Sequence, residues 1–210
     1  MELVFDVVNA RAEPYAAVPT LLLELRVAEI TGATVHALVL RGQVRIEPQL
    51  RRYSRAEEEH LLELFGEPPQ WGDSLRPFLW THISAAVPGF SGSTEVELPI
   101  VCTYDFEVAA AKYLHGLQDG EIPLTLLFSG TVFLKGESGV TASPVPWHKE
   151  ARYRLPVARW REVMDLYFPN SGWMRVSRET LDRLQRFKAA RAVPSWDLAL
   201  EALLKEAGEP

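Results

Sequence analysis

The chain has 210 residues, of which 47% are hydrophobic and 24% charged, with a net charge of −6 and one cysteine. Such a composition excludes a disordered chain and supplies a substantial core, and a lone cysteine excludes an internal disulfide. No apolar run approaches the ~20 residues that span a bilayer, and the start, MELVFDVVNARAEP, lacks a secretion signal, so a cytoplasmic protein is expected.

Residues 1–147 read as β structure, and the fold class expected is mainly β (α+β). Leu3, Phe5 and Val7 open a strand. Thr20 to Ile30 alternates, with Leu21, Leu23, Leu25 and Val27 opposed by Glu24 and Arg26. Thr31-Gly32 signals a turn. Val35 to Glu47 places Leu38, Leu40, Val44 and Ile46 inward and Arg41, Gln43, Arg45 and Glu47 outward. Ser54 and Glu57 form a capping box for a helix over residues 54–65, ended by Gly66. Phe78 to Val87 is a further strand, and Pro88 to Ser93 a loop.

The longest alternation runs from Thr94 to Val108. It puts Cys102 in an apolar row and Glu95, Glu97, Asp105 and Glu107 in a wet one. The run continues toward Asp119-Gly120, which reads as a hairpin turn before Ile122 to Lys135. A helix through Phe106, Ala110, Tyr113 and Leu117 competes with that hairpin. The alternation and the Asp-Gly signal favour the hairpin. After the Gly136–Gly139 turn and a strand over Val140 to Val145, the pattern becomes helical. Three helices are expected in residues 148–210. The first carries Val157, Trp160, Val163, Met164 and Tyr167. The second is capped by Ser177, and the third opens at Pro194-Ser195. They read as a subdomain docked on an antiparallel β-sandwich or curved sheet.

Residues that could carry chemistry resolve into scaffold. Cys102, between Ile100 and Tyr104, reads as core. His36, His60, His82, His115 and His148 show no zinc-ligand spacing, although His82 and His115 approach each other if their strands pair. Gly89 to Ser93 and Gly136 to Val140 both miss the Gly-x-Ser-x-Gly pattern. The carboxylates fit a solvated face or cross-strand pairs with Arg41 and Arg45. No catalytic residue, cofactor or metal site is expected, and the surrounding acidity disfavours nucleic acid.

Charge is asymmetric. From Lys149 to Arg191 there are eleven basic and five acidic residues, within a chain of net −6. Either this segment packs beside the acidic sheet, or it offers a docking surface to an acidic partner. The partner-binding candidates are Arg178, Arg183, Arg186 and Arg191, together with the loop tryptophans Trp71 and Trp147.

Several stretches carry a resemblance: Tyr104 to Val108, Lys112-Tyr113-Leu114, Asp119 to Leu124, Phe128 to Phe133, Val145-Pro146-Trp147 and Tyr153 to Val157. They resemble an uncharacterised bacterial protein family often encoded beside [NiFe]-hydrogenase genes. The resemblance implies an accessory or assembly role and hydrogenase components as partners, and brings no functional residues with it. Ile122 to Leu126, after a series of strands, is weakly similar to the SecB export chaperone, which implies a helix where the hairpin is expected.

The function expected is therefore that of a non-catalytic accessory protein acting through protein–protein contacts. The alternative is a ligand-binding or hydrolytic β-sandwich with its site in loops 66–76 and 88–93. Self-association through the C-terminal helices is a third reading.

Overall fold

The computed structural model describes residues 1–103, 108–136, 139–171 and 175–208. The chain forms two compact units, Met1–Gly172 and Trp173–Pro210.

Two antiparallel sheets build the first unit. The smaller contains β1 (Leu3–Ala12), β2 (Thr20–Glu29) and β5 (Ser93–Val101), in the order β1-β2-β5. In the larger, β4 (Phe78–Ser91), β3 (Thr34–Ile46) and β6 (Glu121–Gly136) lie side by side. Beyond β6, β7 (Gly139–Pro144) pairs with Thr131–Gly136 and β8 (Glu150–Pro156) with Glu121–Leu127.

Period-2 alternation gives each sheet one apolar face, and these faces meet. Leu21, Leu23, Leu25 and Val27 from β2 share one core with Leu38, Leu40, Val44 and Ile46 from β3. Phe5 of β1 stacks on Phe128 of β6 at 4.5 Å between ring centroids. Pro88 and Pro99 sit on the edge strands β4 and β5, where no ladder partner demands their missing N–H.

The chain changes sheets twice at one end. Gly92, at φ +74°, is the single residue between β4 and β5. A side chain there would be strained, which explains a glycine at so abrupt a crossing. Residues 30–33 make the other crossing, around the buried Glu29 carboxylate. This group accepts from the backbone N–H of Glu2 (2.9 Å), Thr31 (3.0 Å) and Ala33 (2.8 Å), and from the Thr31 hydroxyl (2.6 Å).

Three findings correct the sequence reading. Residues 109–116 form a helix, α3, and not a hairpin strand. Taking the helices in order, α1 (Arg55–Phe65) carries the expected capping box, α2 (Trp71–Ser74) follows it, and α3 is Ala109–Gly116. Ala109-Ala110-Ala111 are strong helix formers, and the 3.6 period buries Ala110, Tyr113 and Leu114 together. Asp119-Gly120 does turn the chain, with Gly120 at φ +81°, but the turn joins a helix to β6. An Asp-Gly pair specifies a turn and not the elements on either side of it.

Second, the alternating strand ends at Val101, so Thr94 to Val108 is not one element. Tyr104 to Glu107 lie outside the described residues. Third, the expected loop 88–93 belongs almost wholly to strands, since β4 runs through Ser91 and β5 starts at Ser93.

Three C-terminal helices follow, as expected. The first, α4 (Val157–Tyr167), belongs to the sandwich unit and buries Val157, Trp160, Val163 and Met164. Its Tyr167 hydroxyl donates to the carbonyls of Glu13 and Ala16, both at 2.8 Å. The second unit holds α5 (Arg178–Ala190) and α6 (Trp196–Ala207), capped by the Ser177 and Ser195 side chains.

Candidate functional site

Two of the six candidate contact residues are internally committed. Trp71 is buried and its indole N–H donates to the Gly66 carbonyl at 2.8 Å. Its ring meets Tyr53 and Phe65 edge-on, so it closes the α1–α2 corner and is not an exposed contact point. Arg191 pairs with Glu206 and lies 4.4 Å from the Phe187 ring centroid, which ties α5 to α6. Arg178, Arg183 and Arg186 are exposed on α5. At 100° per residue they share their side of the helix with Glu179 and Asp182, which dilutes the basic face.

Trp147 is as exposed as the sequence predicts, at 90%. The segment that carries it is nonetheless fixed. Val145 N–H donates to the Gly130 carbonyl at 3.0 Å, and Phe128 N–H donates to the Lys149 carbonyl at 2.9 Å. Both anchors are on β6, so the loop is pinned beside Ser129. Trp147 also meets the His148 ring edge-on at 5.9 Å.

The acidic row does not use Arg41 and Arg45. Because β5 pairs with β2, Arg26 stands directly opposite Glu95 and bonds it at 3.0 Å. Glu24 stands opposite Glu97, and Arg11 reaches both. These acids are matched by arginines of their own sheet. Asp105 and Glu107 lie outside the described residues.

Arg41 and Arg45 stand instead on the outer face of the five-stranded sheet. Register places Arg41 between Ser84 of β4 and Ser129 of β6, Gln43 between His82 and Leu127, and Arg45 between Leu79 and Thr125. Arg152 and Arg154 continue the row on β8, where they pair with Glu150 (3.1 Å) and Glu121 (3.7 Å). Among the described residues neither Arg41 nor Arg45 is in an ion pair. A cleft of about 290 Å³ opens here, around Arg41, Gln43, His82, Ser84 and Ser129. The outward Arg41-Gln43-Arg45 row is legible in sequence, but its neighbours on β4 and β6 come from sheet order, which alternation does not encode.

A second cleft, of about 650 Å³, is lined by Leu50, Arg51, Arg52, Gly120, Glu121 and Arg154. Its central arginine is structural. Arg51 bonds the buried Glu57 carboxylate at 2.7 Å and donates to the Asp119 carbonyl at 3.1 Å. Burial pushes the Glu57 carboxyl up, but the N–H groups of Ser54 and Gln118 together with Arg51 outweigh it and hold the group below its ordinary value.

Cys102 is a core group and His115 is half-buried. Cys102 is 3% exposed, and burial pushes its thiol up to about 12, far from a reactive thiolate. His115 is on α3, not on a strand beside His82, and its ring meets Trp160 edge-on at 4.6 Å. Burial and the nearby Arg161 push its imidazole down to about 4, so it is neutral at physiological pH. Among the described residues no three His, Cys, Asp or Glu side chains gather as a metal site, and no helix is long and apolar enough to cross a membrane.

These features define a mixed α+β protein built on an antiparallel β-sandwich with inserted helices. The chain belongs to DUF6084, a family of unknown function whose model matches residues 1–210. No curated protein matches it. Among solved structures it is similar to a CARDB domain from Pyrococcus furiosus, determined with di-metal ions, at 10% identity and TM-score 0.28, covering 74% of this chain and 91% of that one. It is also similar to a putative late embryogenesis abundant protein, at 12% identity and TM-score 0.32, covering 75% and 74%. A β-glucosidase from Kluyveromyces marxianus matches at 9% identity and TM-score 0.25, covering 73% of this chain and 15% of that one. At such scores these likenesses carry no functional inference.

Proposed function

We propose that the protein is a non-catalytic accessory protein whose outer five-stranded sheet face docks an acidic protein partner. The observation that carries this reading is a row of outward arginines that are outside ion pairs among the described residues, on a sheet whose β6 also anchors the loop of an exposed tryptophan. Trp147 sits in a loop pinned to β6, and Arg41 lies across β6 from that loop in the same cross-strand row. Tryptophan and arginine are the residue types that most often dominate binding energy at interfaces. A rigid sheet presenting them spends little conformational entropy on association. Arg41 and Arg45, outside any ion pair among the described residues, supply the charge complementarity that an acidic surface needs.

The sequence's resemblance to a family often encoded beside [NiFe]-hydrogenase genes makes the subunits and maturation proteins of that system the first partners to try. The test is capture on immobilised protein at low ionic strength. Binding is expected to weaken as salt rises, because the contact is charge-assisted. Trp147→Ala is expected to lower affinity at least tenfold, the usual loss for a tryptophan anchor of 1.4 kcal/mol or more. Salt-independent capture unaffected by W147A contradicts the reading.

The second reading, a ligand-binding sandwich, moves from loops 66–76 and 88–93 to the Arg41 cleft. Trp71 fills the first of those loops and strands absorb the second.

A further inference from the structure

We infer that the cleft centred on Arg41 binds a tetrahedral oxyanion of the phosphate or sulfate type. The inference deepens the reading of this sheet face as a recognition surface and rests on it. Three strands converge on the cleft. β3 contributes Arg41 and Gln43, β4 contributes His82 and Ser84, and β6 contributes Ser129. Register sets Arg41 directly between the two serines, with strands about 5 Å apart on either side. Gln43 and His82 are paired one outward position further along.

The chemistry of this set points to an anion. All five side chains offer N–H or O–H donors, and among the described residues no carboxylate lines the cleft. Each residue of the set is exposed, so the donors face solvent and not the core. Arg41 is outside any ion pair among the described residues, so its charge is available. A guanidinium binds an oxyanion through two parallel N–H groups.

Donor geometry favours a tetrahedral group over a carboxylate. A carboxylate presents two coplanar oxygens, which the Arg41 fork alone would satisfy. Hydroxyls on strands to both sides, with an amide and an imidazole beyond, suit oxygens directed out of one plane. The volume, about 290 Å³, lies at the small end of ligand sites.

The experiment is a titration of the full chain with inorganic phosphate, glycerol 3-phosphate and acetate, at fixed ionic strength set with chloride, read by amide chemical shifts. Saturable phosphate binding is expected, with shifts centred on residues 41–43, 82–84 and 129. Arg41→Gln is expected to weaken it at least tenfold, and Ser84→Ala with Ser129→Ala several-fold. Arg55→Gln, at an exposed arginine on α1, should leave it unchanged. Tighter binding of phosphate than of glycerol 3-phosphate supports the free ion as ligand, and the reverse supports an ester. An equal response to acetate, or R41Q binding phosphate as the natural chain does, overturns the assignment. If phosphate fails to bind while W147A-sensitive capture persists, the oxyanion site falls and the docking surface stands. If phosphate binds and capture is insensitive to W147A, the docking surface falls and the oxyanion site stands.

Discussion

Glu29 shows how one carboxylate can organise a junction. It is 3% exposed, yet it stays ionised because four donors around the sheet crossing converge on it. The Thr31 hydroxyl and the Glu2 N–H are the main causes that hold its pKa at about 2, against burial pushing the other way. A depressed carboxylate stabilises the fold fully above its unfolded value near 4.5 and loses that contribution as pH falls through about 2. Glu29→Gln is therefore expected to lower the thermal midpoint at neutral pH and to flatten the acid limb between pH 4.5 and 2, as followed by circular dichroism. An acid limb unchanged in E29Q contradicts this role. Sequence reading does not find Glu29: it sits at the end of an alternating strand, and its donors lie on a turn and on the N-terminal residue pair. Cys102 was legible because its role depends only on its own row, whereas a buried carboxylate is explained by groups remote in sequence.

The elements divide along the same line. Strand alternation in β1, β2, β3 and β6 is a local signal that survives folding, as does the Ser54–Glu57 capping box of α1. The α3 segment went the other way because two periods fit it and tertiary packing decided between them. Tyr113 is fully buried, its hydroxyl is 2.9 Å from that of Tyr53, and its ring meets Phe65 and Phe78 edge-on. Tyr53 in turn donates to the Pro48 carbonyl at 2.7 Å. This cluster joins α1, α3 and the start of β4, and no window of the sequence contains it. Tyr113→Phe removes one buried hydrogen bond and is expected to cost about 1 kcal/mol. Tyr113→Ala leaves a cavity and should cost about 3–5 kcal/mol by denaturant unfolding. Equal effects of the two substitutions would contradict a ring-packed α3.

At the scale of the molecule, the sequence separates an acidic sheet from a basic C-terminal segment and invites the two to be read as partners. Structure divides the charges differently. Glu24, Glu95 and Glu97 of β2 and β5 pair with Arg11 and Arg26 in their own sheet. The α5 arginines share a helix side with Glu179 and Asp182. Arg41 and Arg45 are left without ion pairs among the described residues, on the outer face of the larger sheet. Their significance depends on which strands flank β3, and strand order is a non-local property of the fold. Trp147 is legible as a loop tryptophan; the attachment of its loop to β6 comes from two backbone hydrogen bonds.

The most direct test of the sheet face as the recognition surface is a comparison of two charge reversals in the same capture experiment at low salt. One variant carries Arg41→Glu and Arg45→Glu on β3, and the other Arg183→Glu and Arg186→Glu on α5. Both should fold like the natural chain, since the substituted side chains are exposed or half-buried and, among the described residues, outside ion pairs. Capture of the acidic partner is expected to be lost in the β3 variant and retained in the α5 variant. Retention in the β3 variant with loss in the α5 variant would contradict the account and return the docking surface to the C-terminal helices.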